Sequence, residues 1–569
     1  MSAASKELES VTGVQLAQGI GHRPSQGFWT EAFGQVIRRP AAVFGFVWIA
    51  IVAFFAIFAP VLASGHPIMS WTLDDSGTKE VLTSPLLRML TLADVVLIIW
   101  GVWTPLFIFF PTKKVSVGEK LRLIVACGVQ LAIAVVLVGA VSGIFGARDA
   151  SDWMRSLEQK QYFPHVASAI IALIASIPFL LISIGVYKSW IRVAFVVAII
   201  LLSIVLGAWK WAPNTSTFFY RTDQTNREID AIYTLVPFSP NQSETAMYNR
   251  APGSTPLNSM WDRLAEKARV RVDQKASLTD EDLAGLPIND QSFRDMNAVS
   301  SSIDSLVSYP IVDLIAGFEA QAASGELANM LDLKNAMVNS SAPNHVLGTD
   351  TLGQDVLSQM FHACRLSISI GFVSTGIAVV IGVTIGSLMG YFGGWVDLVL
   401  YRFVEVFMAI PVLFLLIVAA GVLPRNIYFM MAIIGCFTWT GAARFVRAEF
   451  MKLRETDYVQ AAKAMGLPLW SILFKHMLPN GVTPVLVDSS FAIAAAILIE
   501  AILSYLGLGP TGQASWGKLL SNASGETSDF IWWLAIFPGA AIFLTTMAYN
   551  LIGESLRDAI DPKLKKARV

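Results

Sequence analysis

The sequence predicts an all-α polytopic membrane protein, and three observations carry that class. Hydrophobic residues fill 54% of the 569 positions and charged residues only 15%, where a soluble chain carries about 25% charged. Apolar runs of roughly 20 residues recur, the length a helix needs to cross a bilayer. Lysine and arginine collect in every second loop between those runs, as a fixed orientation in a membrane requires.

The spans follow in order at about 41–63, 92–111, 121–145, 165–186, 190–209, 364–391, 404–423, 427–446, 483–506 and 531–553. Residues 1–40 are a polar segment without a signal-peptide cleavage pattern, and span one is too long for a signal core, so it stays as an anchor. Arg38 and Arg39 precede span one. Lys113, Lys114, Lys120 and Arg122 separate spans two and three, and Lys188 and Arg192 mark the very short turn between four and five. Arg444, Arg447, Lys452, Arg454, Lys463 and Lys475 lie around the insert between eight and nine, and Lys563, Lys565, Lys566 and Arg568 close the chain in a basic tail at 563–569. All five groups share one side when both termini are cytoplasmic.

Residues 211–346 form a polar segment on the outer side, with 17 Asp/Glu against 10 Lys/Arg. Trp261, Leu264, Ala268 and Val272 keep helical spacing, Thr279 with Asp282 resembles a capping box, and 306–333 continues a helical pattern. The expected result is a small, mainly helical periplasmic domain; a loosely ordered loop is the alternative.

Between spans eight and nine lies an insert, 450–480, of a different kind. Arg454 to Met465 is rich in helix formers, Gly466 breaks the run, and Pro468 suits the first turn of a second helix. Trp470, Ile472, Leu473, Phe474 and Met477 give that second helix a broad apolar surface. Composition leaves two readings open, a basic helix pair lying on lipid headgroups or a handle for a soluble partner. The order of residues favours the handle: Gln460-Ala461-Ala462, three residues, Gly466, then Lys475-His476-Met477-Leu478-Pro479-Asn480.

That wording resembles the Glu-Ala-Ala loop of ABC importer permeases. From Leu347 to Pro562 the chain is similar to the second membrane subunit of dipeptide and oligopeptide importers. The matching motifs recur in family order: Leu347-Gly348-Thr349-Asp350-Thr351-Leu352-Gly353-Gln354-Asp355 before span six, and Gly390-Tyr391-Phe392-Gly393-Gly394-Trp395 after it. Then come the insert, Glu500 to Gly509, Ser515-Trp516-Gly517, and Asn550 to Pro562; span one and Pro237 to Asn241 resemble the family's start. The resemblance implies a type I ABC importer core of six helices, made of span one (41–63) and residues 347–562. It also implies a companion permease, two ATPase subunits that bind the ATP and Mg, and a periplasmic or lipid-anchored binding protein. Peptides are the implied cargo, with nickel complexes and peptide-like antibiotics carried by relatives. The cell membrane of a bacterium is the implied site. Two positions depart from the pattern: Gln460 replaces the glutamate that pairs with the ATPase, and Gln354 replaces an arginine. Residues 64–210 add four spans; an even number keeps every core segment on its side. These spans are expected to form an accessory layer outside the conduction path.

Within the spans, Gly382, Gly386 and Gly390 place small residues on one face of span six, suited to close helix approach. Pro411 and Pro538 predict kinks. Asp94, Asp488 and Glu500 are charges within apolar runs, where a cavity or partner is expected. Asp488 is the better pathway candidate, and Glu500 is expected near the hydrated outer interface. Cys127, Cys364 and Cys436 read as packing residues, and the six histidines are scattered. No Gly-x-x-x-x-Gly-Lys-Ser/Thr loop, His-Glu-x-x-His or Gly-x-Ser-x-Gly is present, so no catalytic, metal or cofactor site is expected; the partners that the resemblance implies include no nucleic acid. The competing classes are an ion-coupled transporter using Asp94 or Asp488, which calls for inverted repeats that the sequence lacks, and a motorless membrane receptor.

Overall fold

The protein is described by a computed structural model covering residues 34–73, 79–109, 117–145, 163–181, 189–209, 229–243, 247–255, 344–524 and 530–560. The helical segments expected at 258–276, from Thr279 onward and at 306–333 lie outside those residues. In chain order, α1 (Pro40–Leu62) leads to β1 (Met69–Leu73) and β2 (Lys79–Thr83). Next come α2 (Leu92–Phe109), α3 (Val117–Phe145), α4 (Phe163–Leu181), α5 (Ser189–Trp209) and β3 (Ile229–Ile232). The second half holds α6 (Val356–Phe392), α7 (Gly394–Ala409), α8 (Val412–Val422), α9 (Ile427–Thr438), α10 (Thr440–Leu453) and α11 (Asp457–Ala464). It ends with α12 (Thr483–Tyr505), α13 (Trp516–Asn522) and α14 (Trp532–Ile560).

Among the described residues, α1, α6, α12 and α14 are each long and apolar enough to cross a membrane. Two bent pairs, α7 with α8 and α9 with α10, pass the same test, which makes six core units. The shorter apolar stretches 92–108, 123–138 and 163–176 belong to the inserted helices. Helix α6 is central, packing on α1, α7, α9, α10 and α12, while α14 closes the bundle against α1 and α12. Small residues set the closest approaches. A Cβ at Gly45 of α1 would stand 2.8 Å from the Ala548 carbonyl of α14. Trp48 Nε1 donates to Thr545 Oγ1 at 3.0 Å across the same contact, and Arg39 pairs with Asp558 at its end.

The inserted helices form their own cluster around Leu90, Val96, Cys127, Leu131 and Leu206. They meet the core along α1, where Gly101 lies against Ile57. Asp94 is not an isolated charge. It accepts from Thr91 N at 2.8 Å and Thr91 Oγ1 at 2.6 Å at the start of α2, and pairs with Arg365 of α6.

Several spans differ from the sequence expectation. Span six begins at Val356, a full two turns before the apolar run, because Asp355 caps it and its first turns are polar but buried. Span seven begins earlier than the apolar run, at Gly394, and the bend expected at Pro411 is present, 78° between α7 and α8. Pro411 cannot continue α7, and it holds Ile410 in extended backbone, φ −94° and ψ 127°. Helix α14 runs on through Pro538. A small antiparallel sheet, ordered β2-β1-β3, was not expected; it pairs Ser70 with Thr83 and with Ala231.

Two backbone bridges tie the long excursions back. Ser64 N bonds Val236 O at 3.1 Å and Val236 N bonds Leu62 O at 2.9 Å, so the chain after α1 is paired with its own return. Likewise His345 N bonds Ser254 O at 2.9 Å.

Candidate functional site

The insert between α10 and α12 folds as a turned helix pair braced on the end of the core. The first helix, α11, starts at Asp457, later than Arg454, because Arg454 to Thr456 form the turn out of α10. Gly466 ends it with φ +70°, the left-handed conformation that side chains disfavour. The bonds Leu467 N to Ala462 O and Gly466 N to Lys463 O, at 3.3 and 2.9 Å, form a Schellman cap. The second helix starts after Pro468 and passes through a π-helical turn, Ile472–Met477, before Leu478–Gly481.

Burial divides this pair into a root and a rim. Val459, Ala462, Ile472, Leu473 and Met477 are buried against Val383 of α6, Val446 and Phe450 of α10, and Val485 of α12. Three core helices therefore share one apolar joint with the insert. Gln460, Ala461, Gly466, Lys475 and Pro479 are exposed, while Ala462 faces inward and His476 is half-buried. Gln460 Nε2 donates to Arg454 O at 3.0 Å, closing the turn out of α10. Met465 and Trp470 project into solvent beside Gly466, 71% and 63% exposed. The sequence placed Trp470 on one surface with Ile472 and Leu473; the structure separates it from them and packs it on Phe474.

The glycine ladder of α6 reaches the same joint. Cβ atoms at Gly382, Gly386 and Gly390 would stand 2.7 Å from Ala442 Cβ, 2.5 Å from Ala443 O and 2.5 Å from Phe450 Cβ, all on α10. The start of α7 is clamped there too. Arg447 of α10 holds Asp397 by two bonds, 2.5 and 2.7 Å, and lies over the Tyr401 ring at 4.4 Å.

At the opposite end, the Leu347–Asp355 motif is a knot of caps. Asp350 Oδ1 accepts from Leu352 N and Gln354 N, and its Oδ2 accepts from Gln359 Nε2, at 2.8, 2.9 and 2.8 Å. Asp355 Oδ1 accepts from Ser358 N at 2.7 Å as N-cap of α6, and its Oδ2 pairs with buried His345 at 2.8 Å. Thr349 accepts from Arg250 N at 2.8 Å through its hydroxyl and from Trp533 Nε1 at 3.0 Å through its carbonyl. Gly348 and Gly353 turn the chain at φ +79° and +72°. Leu347 packs on the cluster of Val356, Leu519 and Leu534. A cavity of about 320 Å³ opens beside the knot, lined by Tyr233, Val236, Asn344 and Asp355. His345 was read as one of the scattered histidines; its place ten residues before a helix cap gave no signal.

The remaining charges separate. Glu500 is fully buried, correcting the expectation of a hydrated interface position. Its carboxyl accepts from Ser504 Oγ at 2.7 Å and Ser367 Oγ at 3.5 Å, which joins α12 to α6. Asp488 is half-buried on α12, facing Gly441 and under the charge of Arg444.

Residues 382–566 match the binding-protein-dependent transport system inner membrane component, and 27–77 match the N-terminal membrane domain of oligopeptide transport permease C. The dipeptide permease DppC of Alkalihalophilus pseudofirmus is 33% identical over 276 residues, 48% of this chain and 90% of that one. The oligopeptide permease OppC of Bacillus subtilis is 36% identical, covering 40% and 76%. The glutathione permease GsiD of Pectobacterium atrosepticum is 38% identical, covering 39% and 73%. A solved chain of the inward-facing MetNI methionine ABC transporter overlaps 35% of this chain and 96% of its own, at 17% identity and a TM-score of 0.28. The chain belongs to the binding-protein-dependent transport system inner membrane components, as an ABC importer permease of the dipeptide and oligopeptide type.

Proposed function

We propose that the chain forms half of a pathway for peptides or peptide-like solutes, and that residues 454–481 receive the stroke of partner ATPases. The observation that carries this reading is the joint between the turned helix pair and α6, α10 and α12. A soluble partner gripping the exposed rim at Met465, Gly466 and Trp470 gains a lever on three membrane helices at once. ATP-driven closure of two ATPases would swing the pair as a unit, and the joint would pass the swing into the bundle. The names of the relatives, among them dipeptide, oligopeptide and glutathione permeases, support the cargo class.

The basic groups around 444–475 support a cytoplasmic position for the helix pair and for both termini, with the knot at 347–355 outside. There a binding protein would deliver cargo. A companion permease would supply the other half of the pathway. The sequence lacks a phosphate-binding loop, which supports a non-catalytic role with ATP and Mg held by the partners. Helices α2 to α5 act as an accessory layer, a role supported by their contact along α1 and the Asp94–Arg365 pair.

The test is Gly466→Val in the assembled transporter. A β-branched residue at φ +70° is a genuine outlier and displaces the second helix. Peptide-stimulated ATP hydrolysis should fall about tenfold or more, while Gly466→Asn, which tolerates that backbone, stays near the parent. Undiminished stimulation in Gly466→Val would end the assignment of this loop.

A further inference from the structure

The second helix of the docking pair is regular in its sequence pattern and irregular in its winding. It runs as Leu469–Ser471, a π-helical turn at Ile472–Met477, and Leu478–Gly481. On a regular α-helix each residue turns by about 100°, so Trp470 and Leu473 stand within about 20° and 40° of Met477, while Ile472 stands about 140° away. An α-helix would therefore root Trp470, Leu473 and Met477 in the core and turn Ile472 out. The structure exchanges two of these positions. Ile472 is buried with Leu473 and Met477, and Trp470 is exposed.

The π turn makes that exchange. Its closure joins residues five apart, which sets Ile472 and Met477 one above the other. The N–H of Leu478 bonds Leu473 O, five residues back. The backbone stays right-handed throughout, with φ −68° and ψ −43° at Ser471 and φ −57° and ψ −44° at Leu478. The turn is thus a wider winding and not a break.

Residue 479 explains why it does not tighten. Pro479 has no N–H for the carbonyl four residues back, and in an α-helix its ring would strike that carbonyl, on Lys475. Asn480 steps in beside it, donating from Nδ2 to His476 O at 2.9 Å. Pro479 is itself exposed, so its contribution lies in the backbone and not in packing. On the open side Trp470 meets Phe474 edge-on, with ring centroids 4.3 Å apart. A large, rigid, exposed indole is the kind of side chain that anchors protein interfaces.

We infer that Pro479 is a positioning residue: its missing N–H holds the docking helix in the π register, and that register turns Trp470 outward as the anchor for an apolar pocket on the partner ATPase. The anchor half rests on the docking reading above. In the α register Trp470 would sink into the joint beside Leu473 and Met477, and the partner would meet Ile472 in its place. Two apolar rows share this short helix, and one proline selects between them.

The register is tested on the full chain in membranes that lack the ATPases, with Cys127, Cys364 and Cys436 replaced and Ile472→Cys added. N-ethylmaleimide crosses membranes, so its rate reports burial whichever way the chain faces. Ile472→Cys should react slowly beside Pro479 and about tenfold faster with Pro479→Ala, as the residue turns out of the joint. A loop that had merely lost its structure would show the same increase. Deleting Lys475 from the Pro479→Ala chain separates the two. It removes the extra residue of the π turn, so a plain α-helix then sets Ile472 about 40° and Trp470 about 120° from Met477. The slow rate should return. An unchanged rate in Pro479→Ala, or a fast rate that the deletion leaves in place, would overturn the register.

The anchor is tested in the assembled transporter, by titrating ATPase subunits onto such membranes and following peptide-stimulated ATP hydrolysis. Trp470→Ala should raise the half-saturating ATPase concentration about tenfold, and Trp470→Phe should recover part of it. Pro479→Ala should raise it as well, and deletion of Lys475 should lower it again. Parent-like binding by Trp470→Ala would overturn the anchor. Undiminished stimulation in Gly466→Val would remove the docking reading itself, while the maleimide rates still decide the register.

Discussion

Replacing Gly386 by alanine should weaken the protein through one identifiable clash. The added Cβ would lie 2.5 Å from the Ala443 carbonyl and 2.8 Å from Val446 Cβ, where ordinary contact begins at 3.4 Å. The shorter gap falls about 0.9 Å below contact, and its neighbour is backbone, which cannot rotate away. Helices α6 and α10 must part, loosening the joint that Val383 and Val446 share with the docking pair. Overpacking of this kind costs about 1–3 kcal/mol. A control isolates that figure. Gly376 lies in the same helix with nothing within 4 Å of its added Cβ. Gly376→Ala gains the same helix propensity, about 1 kcal/mol, without the clash. The difference between the two variants is then the clash alone. The assay is survival of the purified complex at a fixed elevated temperature, where each 1.4 kcal/mol carried by the unfolding barrier shortens half-life about tenfold. Gly382→Ala combined with Gly386→Ala should cost less than the sum, because one separation of the helices serves both sites. Equal survival of Gly386→Ala and Gly376→Ala would refute the argument that this approach is backbone-limited.

Asp355→Ala removes the cap of α6 and the partner of buried His345, and should destabilise by about 1–3 kcal/mol, read as a lower melting midpoint of the complex. Asp94→Ala leaves Arg365 unpaired and should loosen the accessory helices, seen as faster proteolysis within 92–209; Asp94→Leu with Arg365→Leu should recover much of the resistance. In the cysteine-replaced background, Thr511→Cys should react with an impermeant reagent from outside and Lys475→Cys only after the inner face is opened; the reverse pattern would invert the orientation.

The spans were legible because a bilayer imposes both a length and an apolar composition, and Gly466 was legible because few residues accept its backbone. Hydropathy failed where polar residues are buried. It missed the first two turns of α6, where Ser358, Gln359 and the Asp355 cap are satisfied within the protein. It also truncated α7, whose Asp397, Arg402 and Glu405 lower the apolar signal although the helix climbs the bundle. Glu500 was misjudged because its hydroxyl partner Ser367 lies on another helix, which sequence spacing does not show. The sheet escaped notice for a similar reason: β3 joins β1 from far along the chain, and each strand has at most five residues. Pro411 announced a bend but not its size, which depends on how α7 and α8 pack on different partners.

The bridges at Ala63–Val236 and Ser254–His345 bear on how this permease came to be larger than its core. Each stitches together the departure and return points of a long excursion, 64–235 and 255–344. For the core, the chain behaves as if it stepped from one side of the stitch to the other. Both necks are closed by backbone hydrogen bonds, and the first excursion is held besides by the Asp94–Arg365 pair. Lengthening a closed loop adds little entropy cost, about 0.6 kcal/mol per doubling. Material can therefore accumulate or vanish beyond either neck with little change to the six-unit bundle. A chain cut at both necks and rejoined by a few residues, with Arg365 replaced by leucine so that no charge loses its partner, should still build the same core.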